Sequence, residues 1–285
     1  MKRRMALAAA IATGVQVGAA MVATRVVAGE VGPVTLALLR YVIGFLCLAG
    51  PGWMALRRTP IAWRDVAPVC ALGIGQFGVL VALLNAGLRT VPSGRAALLF
   101  ATFPLLTMLI AAALGQERLS LRRSLGVALT VLGVGLAVGT GDGGSWLGQA
   151  AVLGAALAGA ACSVGYRPYL KRYPPVAVSA VAMLASVAAL AVVAPLEGAM
   201  PALGPAGWGA VLFIGVGSGA GYFLWLHALK HLPATEVTMA MALSPLTALG
   251  LGAALLGEPI GPGALGGFAA VSCGLWLATR HRAGA

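Results

Sequence analysis

Two glutamates close matched apolar runs, and a carboxylate beside lipid is a candidate proton carrier or ion-pair partner. Glu117 ends a run that carries Pro104, and Glu258 ends one that carries Pro245. Proline and carboxylate are 13 residues apart in both runs (104 to 117 and 245 to 258), and the two copies sit 141 residues apart. A helix of that length spans roughly 20 Å at about 1.5 Å per residue, so each carboxylate is expected at a membrane surface and not at its centre. Glu117 is flanked by Arg118, Arg122 and Arg123, which favours an interfacial ion pair or gate contact over a buried proton site. Pro104 and Pro245 each remove one backbone hydrogen bond and should kink their helices near the midplane, as hinges or as packing bends.

A second set of side chains suits binding. Ser218, Tyr222 and Trp225 fall at i, i+4 and i+7, one stripe of a helix that either stacks on an amphipathic solute or meets the membrane interface. Gln16 and Gln76 sit near the middle of long apolar runs, where an unpaired amide costs several kcal/mol, so each must face a neighbouring helix or a wet cavity. Asn85, Thr102, Ser163 and Ser244 are weaker candidates of the same kind. Arg40 lies well inside a run and is a candidate for binding a substrate carboxylate, for closing a gate or for snorkelling to headgroups. Arg95 and Glu236 occupy matching places in the two copies, 141 residues apart, and so present opposite charges at opposite mouths. His227 is a further candidate for relaying a proton.

The elements that position these residues follow from composition. Hydrophobic residues make up 60% of the 285-residue chain and charged residues 9%, against roughly 25% charged in a soluble domain. This is the composition of a membrane protein. The net charge of +12 comes from short basic clusters between apolar runs, which excludes a continuous nucleic-acid-binding stripe. The four cysteines lie inside apolar runs without metal-ligand spacing and are expected to be small buried hydrophobes.

Ten segments approach the roughly 20 apolar residues that span a bilayer, each bounded by turn signals such as Gly32-Pro33, Thr59-Pro60, Pro174-Pro175 and Gly261-Pro262. They are Met5 to Ala23, Thr35 to Met54, Val66 to Leu88, Ala96 to Leu114, Leu121 to Val138, Leu147 to Gly165, Val176 to Leu196, Trp208 to Leu229, Val237 to Leu256 and Ile260 to Thr279. With the amino terminus in the cytoplasm, the clusters Lys2 to Arg4, Arg57 to Arg64, Arg118 to Arg123, Arg167 to Arg172, Lys230 and Arg280 to Arg282 all fall on that side. Only Arg25, Arg89 and Arg95 fall opposite, so both termini are placed in the cytoplasm. The expected fold is an all-α polytopic membrane protein of ten transmembrane helices, formed by five-helix repeats over residues 1–140 and 146–281. Five is odd, so the second repeat is inverted, which gives two near-equivalent states around a site at the repeat interface.

The repeated apolar helix with its proline and terminal glutamate, the following Gly126 and Gly133 or Gly267 and Gly274, and Arg40 early in the second helix resemble the EamA family of the drug/metabolite transporter superfamily. The resemblance covers nearly the whole chain. It implies ten helices in two repeats and a secondary transporter, in a family whose members include exporters of amino acids and other metabolites. Where the family commonly has a Trp-Gly or Trp-Ser pair in its first helix, Thr13-Gly14 to Gln16 stands here.

The expected function is export of amino acids or similar small metabolites across the cell inner membrane by alternating access. None of the ten segments carries a central Asp or Glu, so facilitated export or exchange is favoured over proton coupling through His227 or the interfacial glutamates. A proton-coupled drug exporter and a flippase for a lipid-linked group are the alternatives. An enzyme is disfavoured because three histidines lack an acidic partner motif, and Gly215 to Gly221, inside an apolar helix, is no dinucleotide loop. No cofactor or metal is expected. The expected partners are a small-molecule substrate and the lipid bilayer, not nucleic acid, with the chain acting as a monomer or homodimer.

Overall fold

Lipid offers no hydrogen bonds to a backbone, so an apolar chain inside it must satisfy its own N–H and C=O groups. The computed structural model describes residues 2–115, 145–198, 202–231 and 243–279, with 125, 126, 128, 129, 132, 133 and 136. Among the described residues there is no strand. Among the described residues, six helical spans are long and apolar enough to cross a membrane.

Helix α1 runs over Lys2–Val27 and α2 over Pro33–Arg58. Helices α3 (Trp63–Gly73) and α4 (Leu80–Leu88) are joined into one rod by a π-helical stretch, Ile74–Val79. Next come α5 (Ser93–Phe100), α6 (Phe103–Ala113), α7 (Trp146–Arg172) and α8 (Pro175–Val193), the last continued by a 3-10 turn, Ala194–Glu197. The described chain ends with α9 (Pro205–His231), α10 (Leu243–Leu256) and α11 (Pro262–Thr279). Helices α2 and α8 begin on a proline, whose fixed φ and missing N–H suit a first helical position. The expected fifth segment, Leu121 to Val138, and the start of the ninth fall largely outside the described residues.

The fourth segment departs from the single kinked helix expected around Pro104. It is broken in two, with Ala101 at φ −65° and ψ −8° between the halves. Proline cannot donate to the carbonyl four residues back and its ring clashes with that turn, so the chain restarts at Phe103. The Leu99 carbonyl accepts from Thr102 Oγ1 at 2.7 Å and from the Thr102 amide at 3.2 Å, closing the end of the first half. The third expected segment, Val66 to Leu88, contains the π-helical stretch, which its hydropathy does not signal.

Packing follows small residues and apolar faces. Helix α1 lies along α9 as α7 lies along α4, and α9 packs on α2 as α3 packs on α8. Helix α2 also packs on α8, and α10 on α5 and α1. Leu36, Leu48, Leu88, Leu98, Leu99 and Met183 are fully enclosed between helices. At the α3–α8 contact a β-carbon on Gly73 would stand 2.2 Å from the Ala182 carbonyl oxygen, so only glycine permits that approach. The cysteines correct the expectation of burial: Cys162 is buried, but Cys47 and Cys273 are exposed. The outer face of a membrane bundle is as apolar as its core, and an apolar run alone does not separate them.

Candidate functional site

The interior of the bundle collects polar side chains from helices far apart in sequence. On α2, Arg40 donates from Nε to Ser218 Oγ of α9 at 2.6 Å. Ser218 in turn donates to the Ile214 carbonyl at 2.7 Å, so its hydroxyl proton is used and its lone pair faces the guanidinium. Gln16 of α1 lies across the same stretch of α9. A β-carbon on Gly217 would be 2.6 Å from its Nε2, and one on Gly221 would be 2.8 Å from its Oε1. The amide therefore fits into a notch that two glycines leave beside Ser218 and Tyr222.

Tyr222, one turn beyond Ser218, hydrogen-bonds to Ser179 of α8, and its hydroxyl also reaches the Pro175 carbonyl at 3.5 Å. Beside Arg40, the ring of Tyr41 meets Phe77 edge to face with centroids 5.2 Å apart. Phe77 and Gln76 both stand on the π-helical stretch, a feature frequent at functional sites because it places one residue more in a turn. Tyr166 of α7 packs, with Phe77, against the buried cluster of Val69, Val178 and Ala182. Gln16 Nε2, Gln76 Oε1, Tyr166 Oη and Ser186 Oγ are buried without a hydrogen-bond partner among the described residues. Buried polar atoms are seldom left so in a folded interior, and each of these calls for a physical reason.

The two ends of the bundle are held by charge. At the end where α1 and α4 finish, Arg25 Nη1 donates to the Leu88 carbonyl at 2.6 Å, and its Nε is 3.7 Å from Glu258. Both carboxylate oxygens of Glu258 accept from the Ser93 amide, at 3.0 and 2.9 Å, and Oε2 also accepts from Ser93 Oγ at 2.6 Å. Glu258 thus caps α5 from the turn after α10. Gly257, at φ +64°, makes that turn in the left-handed region that disfavours a side chain. Arg95 is buried there and, with Glu258, Leu249 and Pro262, lines a cavity of about 160 Å³. At the same end Glu197 accepts from the Val34 and Thr35 amides at 2.9 and 2.8 Å and from Thr35 Oγ1 at 2.9 Å. At the opposite end Asp65 accepts from Arg172 Nη1 at 2.8 Å and from the Tyr173 hydroxyl at 2.6 Å.

The structure therefore brings Gln16, Arg40, Ser218 and Tyr222 together, with Gln76 on the adjoining rod. Glu258 and Arg95 are placed apart from them at one end. Pro245 is buried in the first turn of α10. Glu117 and Glu236 lie outside the described residues, as do the side chains of Pro104, Trp225 and His227. Sequence reasoning missed Asp65, Arg172, Tyr173, Ser179, Tyr166, Ser93 and Glu197. A partial signal existed for the last two, since helices starting at Gly32-Pro33 and Val91-Pro92 have bare amides that need an acceptor. Asn85, noted from sequence as a polar residue in an apolar run, donates to the Pro33 carbonyl at 3.0 Å.

Similarity to known proteins agrees with this architecture. The chain is 30% identical over 288 residues to a probable terminal-alkyne amino-acid exporter of Streptantibioticus cattleyicolor, covering 100% of this chain and 96% of that one. It is 25% identical over 271 residues to an uncharacterized transporter of Archaeoglobus fulgidus, covering 93% and 95%. A crystal structure of a protein 23% identical superposes with a TM-score of 0.68 over 95% of this chain and 98% of that one, which supports the fold alone. The family model of EamA-like transporters matches twice, over residues 4–139 and 146–280, and with helices apolar enough to cross a membrane this chain belongs to the EamA-like transporter family.

Proposed function

We propose that this chain exports amino acids or similar small metabolites by alternating access between two inverted five-helix repeats, residues 1–140 and 146–281. The observation that carries the reading is a set of buried polar atoms without partners among the described residues: Gln16 Nε2, in the glycine notch beside Ser218 and Tyr222, with Gln76 Oε1 and Tyr166 Oη on the neighbouring helices. A solute with several hydrogen-bonding groups satisfies them where no protein group does. The twofold match of the family model and the paired contacts, α1 on α9 and α7 on α4, favour the repeat reading. The amino-acid exporter among the relatives favours that class of cargo.

In this reading the chain sits in an inner membrane with both termini in the cytoplasm, as its basic clusters favour. The end held by Arg25, Glu197 and Glu258 is then the outer one. The break before Pro104 and the matching Pro245 serve as hinges between the two states. The four described acidic residues, Glu30, Asp65, Glu197 and Glu258, all stand at helix ends, which favours facilitated movement or exchange over proton coupling. The chain works as a monomer or homodimer with no cofactor.

The test is counterflow in proteoliposomes holding the purified chain, with radiolabelled amino acids and an imposed pH gradient present or absent. Gradient-independent exchange of an amino-acid group is expected. Movement only under the gradient would refute the facilitative reading, and no movement of any amino acid would refute the cargo class.

A further inference from the structure

Arg40 is a part-buried charge on a helix long and apolar enough to cross a membrane. It stands on the eighth residue of α2, a helix that crosses the apolar layer, and it makes no ion pair with any described carboxylate. An uncompensated guanidinium in such surroundings is expensive, so interior arginines are paired, hydrated or reserved for a ligand. Among the described residues its one hydrogen bond runs from Nε to Ser218 Oγ, and the Tyr41 ring lies 5.7 Å from the guanidinium carbon. Helix α9 holds the serine firmly, because Ser218 is itself bonded back to Ile214 one turn earlier. That geometry fixes the plane of the guanidinium through one nitrogen and leaves both terminal Nη groups to a ligand. Two parallel N–H donors match a carboxylate better than any other small anionic group of an organic solute.

We propose that Arg40, oriented by Ser218, is a carboxylate receptor that restricts the cargo to solutes bearing a carboxylate and no surplus positive charge. The inference rests on the exporter reading and narrows it. The rest of the site is uncharged: Gln16, Gln76, Tyr166, Ser179 and Tyr222 offer amide and hydroxyl groups only. Gln76 Oε1 and the tyrosine hydroxyls accept hydrogen bonds from the α-ammonium of a zwitterion whose own carboxylate balances it. A second cationic group, as on lysine, finds no acidic partner among the described interior residues and adds its charge to that of Arg40. Removing the carboxylate, as in an amino-acid amide, takes away the Arg40 contact and leaves a net cation.

The experiment uses the full chain in proteoliposomes and compares counterflow of neutral amino acids, their C-terminal amides and lysine. The binding of each is also read as a thermal shift of the protein in detergent. For the wild-type chain, the amides and lysine are expected to move at least about tenfold more slowly than the acids and to give no thermal shift, the scale of one lost charge-assisted pair. Arg40→Gln should raise KM for the acid about tenfold or more and narrow the gap between acid and amide. Arg40→Lys should keep the charge but lose the paired donors, and Ser218→Ala should raise KM with kcat unchanged, because it only frees the guanidinium.

Equal movement of acid and amide in the wild-type chain would overturn the inference while leaving the exporter reading intact, and it needs no variant that has to fold. An Arg40→Gln protein that still discriminates acid from amide as the wild type does would overturn it too. If no amino acid moves at all, the exporter reading itself fails and the receptor falls with it.

Discussion

Replacing Glu258 with alanine should open one end of the bundle, and the size of the effect follows from its contacts. The carboxylate accepts from the Ser93 amide and from Ser93 Oγ, and its side chain is 13% exposed, so water does not readily replace it. Loss of a helix cap costs about 1 kcal/mol. Loss of a charge-assisted bond to a buried hydroxyl adds about 1 to 3 kcal/mol. The pair with Arg25, at 3.7 Å and with the arginine 28% exposed, adds little. Together these give roughly 2 to 4 kcal/mol, or about a 30- to 1000-fold rise in the population with the α5 start released. Hydrogen–deuterium exchange of the peptide spanning residues 89–97 reads this directly, because the Ser93 amide is the first of α5 and Glu258 is its acceptor. Glu258→Gln, which keeps one acceptor oxygen, should fall between alanine and wild type. Unchanged exchange of that peptide in Glu258→Ala would refute the cap as the element that holds this end.

Other expected outcomes are simpler. Asp65→Asn weakens the bonds from Arg172 and Tyr173 that join α3 to the end of α7, and should lower the melting temperature of the detergent-solubilised chain; an unchanged value would refute the strap. Tyr222→Phe leaves Ser179, 6% exposed, without its partner and should change KM or rate about fivefold in counterflow, the scale of one ordinary hydrogen bond of about 1 kcal/mol. Gly73→Ala places a methyl against the Ala182 backbone and should reduce the yield of folded protein on size exclusion, whereas Gly29→Ala, with open space around it, should not. Equal yields from the two would refute the close α3–α8 packing.

Much of the fold was legible because lipid imposes few solutions. Long apolar runs have to become helices there, and prolines at Pro33 and Pro175 marked where two of them start. The repeated spacing of proline and glutamate was visible as a pattern in the chain. The candidate site was only half legible. Gln16, Arg40, Gln76, Ser218 and Tyr222 drew notice because polar groups in apolar runs need a reason, but the same rule offered Asn85, whose amide holds the start of α2. Burial of the cysteines was misjudged at Cys47 and Cys273 because the lipid-facing and core-facing sides of a membrane helix carry the same residue types.

The sequence by itself determined that the chain forms apolar helices, where the basic clusters interrupt them and that the pattern occurs twice. Each of these depends on residues near one another in the chain and on their transfer between water and lipid. Only the tertiary structure decided that Arg40 meets Ser218 across 178 residues, that Glu258 caps Ser93 across 165, and that Glu197 caps the start of α2. Such pairs are set by which helix faces approach, through glycine notches such as Gly217 and Gly221 and close contacts such as Gly73 on Ala182. Local hydropathy carries no record of those approaches, because every face of these helices is apolar enough for lipid and packing alone selects the one that turns inward.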